Sequence, residues 1–260
     1  MTNAESRTPP ALATWAEVDP ARYPFDPTEV PALTRRLPPA PPLPQGHGHY
    51  AEHMSEEART WVENVSTVLS DRYGPWAYRW WGAPGEIWIM DRIPAAAEAP
   101  AVVAESLLTC RRWLETVAER FDRLLPVVDP ASAAEPGDVA ANWEAAFAEL
   151  IRAAAALVDD HGGWQGRCRL TIQWFLTATG MPVKHAEALA DSAFPIRSSF
   201  DDDDDRLTAA RVNDVAERLT RDVLNPAGIP PAAPTEVWPD TWPQHWPAWR
   251  ATDTTGHGWP

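Results

Sequence analysis

Cysteine and lysine are both scarce in this chain. Cys110 and Cys168 are the only thiols, and they lie far apart without a paired spacing. That pattern excludes a cysteine-rich metal site and favours a reducing compartment over a disulfide framework. Lys184 is the only lysine, so every other fixed cationic side chain is an arginine.

Positive charge is also in short supply, because 22 Lys and Arg stand against 37 Asp and Glu, giving a formal net charge of −15. Nucleic acids and anionic membranes are bound by basic surfaces, so the composition argues against both as partners. No apolar run approaches the roughly 18 residues that a membrane-spanning helix needs. The N-terminal residues lack the basic and then apolar pattern of a signal peptide. The sequence therefore predicts a cytoplasmic protein.

Proline and tryptophan are abundant, with 28 and 15 residues, and many of them lie near the two ends of the chain. Residues 1–50 end in LPPAPPLPQGHGHY, which predicts an extended arm that contains no helix, since proline fixes φ and removes a donor. Residues 225–260 contain WPDT, WPQH and WPAW, a small repeat that predicts an extended strap. The strap either packs on the body of the protein or binds a partner, including a second copy of the chain.

Residues 51–224 have helical periodicity and predict one helical domain between the two arms. In SEEARTWVENVSTVLSDRYG, the residues expected to face the core are Trp61, Val65, Val68 and Leu69. The helix predicted over 101–124 has a solvated face formed by Arg111, Arg112, Glu115 and Glu119. Further helices are predicted in VAANWEAAFAELIRAAAALV, over 167–179, and in KHAEALADSAF and RLTAARVNDVAERLTRDVL. The stretch WWGAPGEIWIMDRIP is the one convincing extended segment and predicts a β-hairpin.

The segment VDDHGGWQGRCRLTIQWFLTATGMP, residues 158–182, contains the candidate site. Its glycine-containing loop enters a helix, where backbone N–H groups and the helix dipole favour an anion. Arg167 and Arg169 lie in the first turn, where cations oppose the dipole unless an anion is bound between them. His161 is placed to act as a general base at neutral pH. The alternative is a purely structural turn between packed helices.

The order of these segments resembles the Fic family. In that family a helical body carries a β-hairpin flap, and a helix leads into the signature loop H-P-F-x-D/E-G-N-G-R-x-x-R. Here PGEIWIMDRIP resembles the flap, APAVVAESLLTCRRWLE the linker and next helix, and AAFAELIRAAAALV the helix before the loop. GRCRLTIQWFLTATGMP resembles the end of the loop and the buried helix that follows. The resemblance covers residues 55–195 and implies a mainly α, Fic-like bundle with one β-hairpin flap.

Aligning the family's signature on Gly166 and Arg167 assigns each signature position to a residue of this chain. Without gaps, the position of the base histidine falls on Asp159, that of the metal-binding acid on Gly163, and that of the asparagine on Gln165. The family's last arginine is displaced by one residue, to Arg169, and a shortened loop instead brings His161 to the base position. Because a glycine replaces the acid, the alignment does not support bound Mg²⁺.

The resemblance implies a transferase in which His161 or Asp159 deprotonates an acceptor hydroxyl and Arg167 clamps a phosphate. The donor would be ATP or another nucleotide, held by Gly163, Gln165, Gly166, Arg167 and Arg169. The acceptor is a small molecule or a protein hydroxyl. Two alternatives remain: a Fic-like scaffold used for nucleotide-independent chemistry on a small metabolite in specialised metabolism, or a catalytically silent module that binds proteins through the Trp-rich strap.

Three other groups of residues can be interpreted either as sites or as ordinary structure. His47, His49 and His53 have a spacing that suits zinc or nickel, but no second group of ligands accompanies them. The acidic run at 201–205 has the composition of a magnesium–diphosphate motif, but five consecutive acids repel one another and normally form a solvated loop. Trp80, Trp81 and Trp88 either stack on a planar ligand or belong to the core.

Overall fold

The computed structural model describes residues 14–41, 56–79, 99–129, 132–155, 164–194 and 207–224. Within these ranges the chain is mainly helical and contains no strand, so the prediction of a mainly α protein is confirmed. The predicted hairpin at 84–94 and the strap at 225–260 lie outside the described residues. No helix within the described ranges is long and apolar enough to cross a membrane.

The described ranges contain eight α-helices and two short 3₁₀ helices. The α-helices are α1 Trp15–Val18, α2 Val30–Thr34, α3 Glu56–Tyr73, α4 Ala99–Val128, α5 Pro136–Ala155, α6 Trp164–Ala178, α7 Val183–Ala193 and α8 Ala209–Leu224. The 3₁₀ helices are Pro20–Arg22 and Pro75–Arg79.

Helix α6 lies at the centre of the bundle and contacts α1, α4, α5 and α7. Its sequence is apolar on several sides, which is typical of a helix that is buried all round. It is followed by Gly180, whose φ is +97°, and the amide of Met181 donates to the carbonyl of Leu176 at 3.1 Å. Pro182 then precedes α7. The helix end predicted at Gly180 and Pro182 is therefore confirmed.

Aromatic rings join α4, α5 and α6 into one core. The ring centre of Phe175 on α6 lies 5.2 Å from that of Phe121 on α4 and 5.8 Å from that of Trp143 on α5. The rings of Trp113 and Trp174 lie 5.3 Å apart. Burial of side chains of this size, each stabilising by about 1.5–3 kcal/mol, accounts for much of the driving force for packing α6.

Helix α8 packs against α5 and also contacts α7. Its buried side chains recur at helical spacing, and they include Val212, Val215, Leu219 and Val223. The helix predicted in this segment is confirmed. No described feature of α8 brings it to the start of α6.

The prediction of an extended N-terminal arm is wrong for residues 14–41. This segment forms α1, α2 and a 3₁₀ helix, and Val18 and Val30 are completely buried. Proline stops a long helix but is compatible with the first turn, and Pro20 and Pro31 occupy such positions. The backbone amide of Trp15 donates to Thr177 Oγ1 at 3.0 Å. The segment is thus part of the folded body.

Arg111 on α4 was predicted to lie on a solvated face, and that prediction is also wrong. Its side chain is 11% exposed, and the guanidinium donates to the carbonyls of Pro20 at 3.0 Å and Tyr23 at 3.2 Å. It also pairs with Glu115, and its Cζ lies 5.2 Å from the ring centres of Phe25 and Trp76. Arg111 therefore fixes the N-terminal segment to α4.

Helix α3 matches its predicted pattern except at one position. Trp61, Val65 and Leu69 are buried, whereas Val68 is 39% exposed. The helix is followed by Gly74, whose φ is +96°, and a Cβ at this position would lie 2.1 Å from Cδ1 of Tyr23. Both the backbone conformation and the space require glycine there.

Candidate functional site

The predicted site is described only from the start of α6 onward. Asp159, His161 and Gly163 lie outside the described residues, so their predicted roles stay predictions. Gln165 is the second residue of α6, and only its backbone is described. Gly166, Arg167 and Arg169 follow in the first turn and a half.

Gly166 lies at an open surface. It is exposed and helical, and no described atom lies within 4 Å of a Cβ built on it. Glycine inside a helix costs about 0.5–1 kcal/mol relative to alanine. Nothing in the described structure requires glycine here, and the open space allows a ligand to approach the backbone.

Arg167 points inward from the same turn. The residue is only 6% exposed, and its Cζ lies 5.9 Å from the ring centre of Trp113 on α4. A guanidinium over an indole face gains cation–π attraction. The first turn of α6 therefore holds a buried cation against an aromatic wall, at the positive end of the helix dipole.

Arg169 turns to a different neighbour. Its Nη1 donates to Oδ1 of Asp191 on α7 at 2.7 Å, and its side chain is 24% exposed. Residues two apart on an α-helix point about 200° apart, since each residue turns the helix by about 100°. The structure therefore does not bring the guanidiniums of Arg167 and Arg169 together.

Below Arg167, the inner face of α6 carries two further polar groups. Thr171 and Trp174 follow Arg167 at i+4 and i+7, which places all three on one side of the helix. Thr171 Oγ1, Trp174 Nε1 and Trp113 Nε1 are buried and make no hydrogen bond within the described part of the chain. We call Trp113, Thr171 and Trp174 the inner donor cluster.

The hydroxyl of Thr171 differs from those of most helical threonines in the described ranges. A buried helical threonine normally donates to a carbonyl of the preceding turn. Threonine hydroxyls on four other helices and later on α6 itself do so, namely Thr34, Thr67, Thr116, Thr177 and Thr220. Neither Thr171 nor Trp174 was predicted from the sequence as a site residue. Their i, i+4, i+7 spacing from Arg167 was the signal that could have found them.

Cys168, next to Arg167, does not supply a nucleophile. Burial raises the pKa of its thiol far above the ordinary value, although the neighbouring Arg167 acts in the opposite direction. Its Sγ lies 3.4 Å from the carbonyl oxygen of Ile151. A thiol that stays protonated is a poor nucleophile. Cys110 and Cys168 do not form a disulfide.

The other predicted groups fall outside the described residues: the histidines at 47, 49 and 53, the acidic run at 201–205, and Trp80, Trp81 and Trp88. Among the residues that are described, no three His, Cys, Asp or Glu side chains are grouped so as to hold a metal ion.

An open groove of about 540 Å³ lies between α5 and α8. Its lining combines alanines with a few charged and polar side chains: Ala141, Glu144, Ala145, Ala148, Glu149, Arg152 and Asn213. None of the predicted site residues lines it.

None of the protein-family models, curated proteins or solved structures compared with the chain matches it.

Proposed function

We propose that the chain is a divergent Fic-type transferase that binds an anionic, phosphate-bearing group of its substrate at the start of α6. The observation that carries this proposal is the position of Arg167, a buried guanidinium in the first turn of the central helix. The acceptor is a hydroxyl of a small molecule or of a protein.

The physical argument starts from the backbone amides at the start of α6. An anion bound there accepts hydrogen bonds from these amides at the positive end of the helix dipole, and the open surface at Gly166 lets it approach them. Arg167 adds a positive charge in the same turn.

Trp113 restrains the orientation of the Arg167 side chain. Its ring centre lies 5.9 Å from Cζ of Arg167, and this cation–π contact restrains the guanidinium. A fixed guanidinium binds two oxygens of one anion better than a mobile one, because less side-chain entropy is lost on binding.

The remaining roles in this proposal belong to the loop before α6. His161 or Asp159 would take the proton of the acceptor hydroxyl, and the amides of Gly163, Gln165 and Gly166 would bind the donor's phosphates. Support comes from the order of elements: a long helix, α5, precedes the loop, and a buried helix that ends at Ala178 follows it. In the proposed Fic-like fold, residues 84–94 form the flap.

A second candidate is favoured by the ion pair between Arg169 and Asp191. The carboxylate satisfies one of the two guanidiniums that were expected to face the donor. A nucleotide triphosphate carries several negative charges, which such sites commonly neutralise with metal ions and additional cations. The pairing of Arg169 with Asp191 therefore favours a substrate with less negative charge, as in nucleotide-independent chemistry on a small metabolite.

Isothermal titration calorimetry with ATP, and with other nucleoside triphosphates, separates the two candidates. The nucleotide-dependent transferase requires a binding isotherm, and Arg167→Ala should weaken it by at least tenfold, since a charge-assisted contact contributes about 1.5–3 kcal/mol. Arg152→Ala is the matched control, because Arg152 is an exposed arginine near the end of α5. Titrations with and without Mg²⁺ test the metal dependence.

A flat titration with every nucleotide contradicts the nucleotide-dependent transferase. Equal affinity of the wild type and Arg167→Ala would contradict the placement of the anion at the start of α6. A flat titration leaves the small-metabolite candidate, which requires no nucleotide.

A further inference from the structure

The groove between α5 and α8 has a lining that suits large side chains. Three of its residues, Ala141, Ala145 and Ala148, recur at i, i+4 and i+7 and therefore share one face of α5. Alanine carries only a Cβ, so this face leaves an open depression of about 540 Å³ beside α8. Ala141 and Ala145 are exposed. We call the surface formed by these three residues the alanine face, and no described residue covers it.

The chain itself supplies an occupant, because the strap at residues 225–260 continues directly from α8. Asn213 lines the groove and lies eleven residues before the end of α8 at Leu224, which is about 16 Å along the helix axis. The thirteen residues 225–237 span up to about 43 Å when they are extended. The tryptophans that follow can therefore return to any point of the groove.

The spacing of these tryptophans matches the length of the groove. Trp238, Trp242 and Trp246 each precede a proline, which favours an extended backbone. In an extended chain, residues four apart point to the same side and lie about 13 Å from each other. The groove runs from Ala141 to Arg152, about 16 Å of helix. It therefore has room for two neighbouring indoles, and Trp242 belongs to either pair.

The charges around the groove also fit the strap. Glu149, which lines the groove, is paired with Arg120 and Arg123 on α4. The lining and these two partners together contain three arginines and two glutamates, a formal charge of +1: Arg120, Arg123, Arg152, Glu144 and Glu149. Residues 237–249 of the strap carry a single fixed charge, that of Asp240. A weakly acidic aromatic segment thus meets a weakly basic surface.

We propose that the strap docks in the groove between α5 and α8 of its own chain, with Trp242 and one neighbouring tryptophan on the alanine face. A tethered segment acts at an effective concentration of about 1 mM, so docking within one chain needs only a weak intrinsic affinity. Each indole has about 150–250 Å² of surface to bury. Docking therefore removes a row of aromatic rings from water, where it would favour aggregation. The proposal is independent of the chemistry at the start of α6.

The test is the fluorescence of a bimane label attached to the full chain at Ala141→Cys, because tryptophan quenches bimane on contact. Cys110 and Cys168 are free but no more than 3% exposed, so the label reacts with the introduced cysteine. Trp242→Phe should raise the emission by about twofold or more, since a segment docked most of the time quenches most of the emission. Ala145→Arg, which places a long side chain on the alanine face, should raise it equally.

Two matched controls separate docking from other effects. Ala140→Cys carries the same label at an exposed alanine of α5 that does not line the groove, and its emission should not respond to Trp242→Phe. Trp259→Phe removes a tryptophan outside the repeat and should leave the label at position 141 unchanged. Trp143 is completely buried and is present in every variant, so any quenching by Trp143 is constant.

Three results overturn the proposal. One is unchanged emission in Trp242→Phe or in Ala145→Arg, which would leave the groove to a separate partner. Another is an equal response of the labels at positions 140 and 141, which would indicate a general change of the fold. The third is quenching that disappears when the labelled protein is diluted, because the strap of a second copy would then occupy the groove.

Discussion

Arg111→Ala should be among the most destabilising single substitutions of a charged residue in the described part of the chain. The guanidinium makes two hydrogen bonds to backbone carbonyls, lies over two aromatic rings and pairs with Glu115. Each hydrogen bond to a charged group contributes about 1.5 kcal/mol. The two cation–π contacts add about 0.5 kcal/mol each. The ion pair with an exposed glutamate adds about 0.3 kcal/mol.

The sum of these contributions is about 4 kcal/mol, and water at the released carbonyls restores part of it, so we expect a loss of about 3 kcal/mol. Arg111→Lys keeps the charge but loses the planar fork that reaches both carbonyls, and should lose about 2 kcal/mol. Arg112→Ala is the control, because Arg112 is the exposed neighbour on α4 and should change stability by less than about 0.5 kcal/mol.

The assay is urea unfolding followed by far-ultraviolet circular dichroism, with the free energy of unfolding taken from the midpoint and a shared slope. If Arg111→Ala and Arg112→Ala lose equal stability, the reasoning fails. It would mean that the attachment of residues 14–41 to α4 does not contribute to the cooperative unfolding of the bundle.

Two further predictions concern a glycine and a thiol. Gly74→Ala should reduce the free energy of unfolding by about 3 kcal/mol, because the φ of Gly74 is positive and an added Cβ overlaps the Tyr23 ring. Gly137→Ala is the control, because no atom lies within 4 Å of a Cβ at Gly137. In the same denaturation assay it should be neutral or slightly stabilising. Because burial raises the pKa of Cys168 above its ordinary 9.0, the unfolded chain loses this proton first as the pH rises. The thiol's contribution to stability is therefore complete below about pH 9 and is lost above it, at about 1.4 kcal/mol per pH unit. Urea unfolding between pH 7 and 10.5 should show a shallower decline for Cys168→Ala, and parallel curves would refute this.

The sequence predicted a helix well where apolar residues recur at helical spacing and a helix-terminating residue follows them. The helix ending before Gly180 is an example, because glycine adopts the positive φ there and Pro182 cannot continue the helix. Val68 shows the limit of periodicity. It lies beside Leu69 at the edge of the apolar face, and only the position of neighbouring elements decides which edge is covered.

Tertiary contacts explain the two larger errors of prediction, which concern Arg111 and residues 14–41. Arg111 appeared to be one more charge on a solvated face, yet residues about 90 positions earlier supply its carbonyl partners. The proline rule excluded a long helix in residues 14–41 but gave no information on short helices that begin at proline. In both cases the deciding groups lie far away in the chain.

The sequence predicted where the candidate site lies, at the start of α6 with its two arginines. It did not predict how the side chains are arranged there. It did not show that Arg167 turns to Trp113 while Arg169 turns to Asp191, although the 200° between them follows from helix geometry. The inner donor cluster depends on α4 and α6 meeting at Trp113 and Trp174, which a one-dimensional pattern does not contain.

The attachment of Trp15 has a consequence for how the chain is made. Its amide bonds to Thr177, 162 positions later, and its ring packs 4.6 Å from that of Phe121. At roughly 5–20 residues per second, a ribosome needs roughly 10–30 seconds to synthesise the intervening chain. During that time the hydroxyl of Thr177, which accepts from the amide of Trp15, has not yet been synthesised. The native contacts of Trp15 are thus completed only after a residue 162 positions later has been translated.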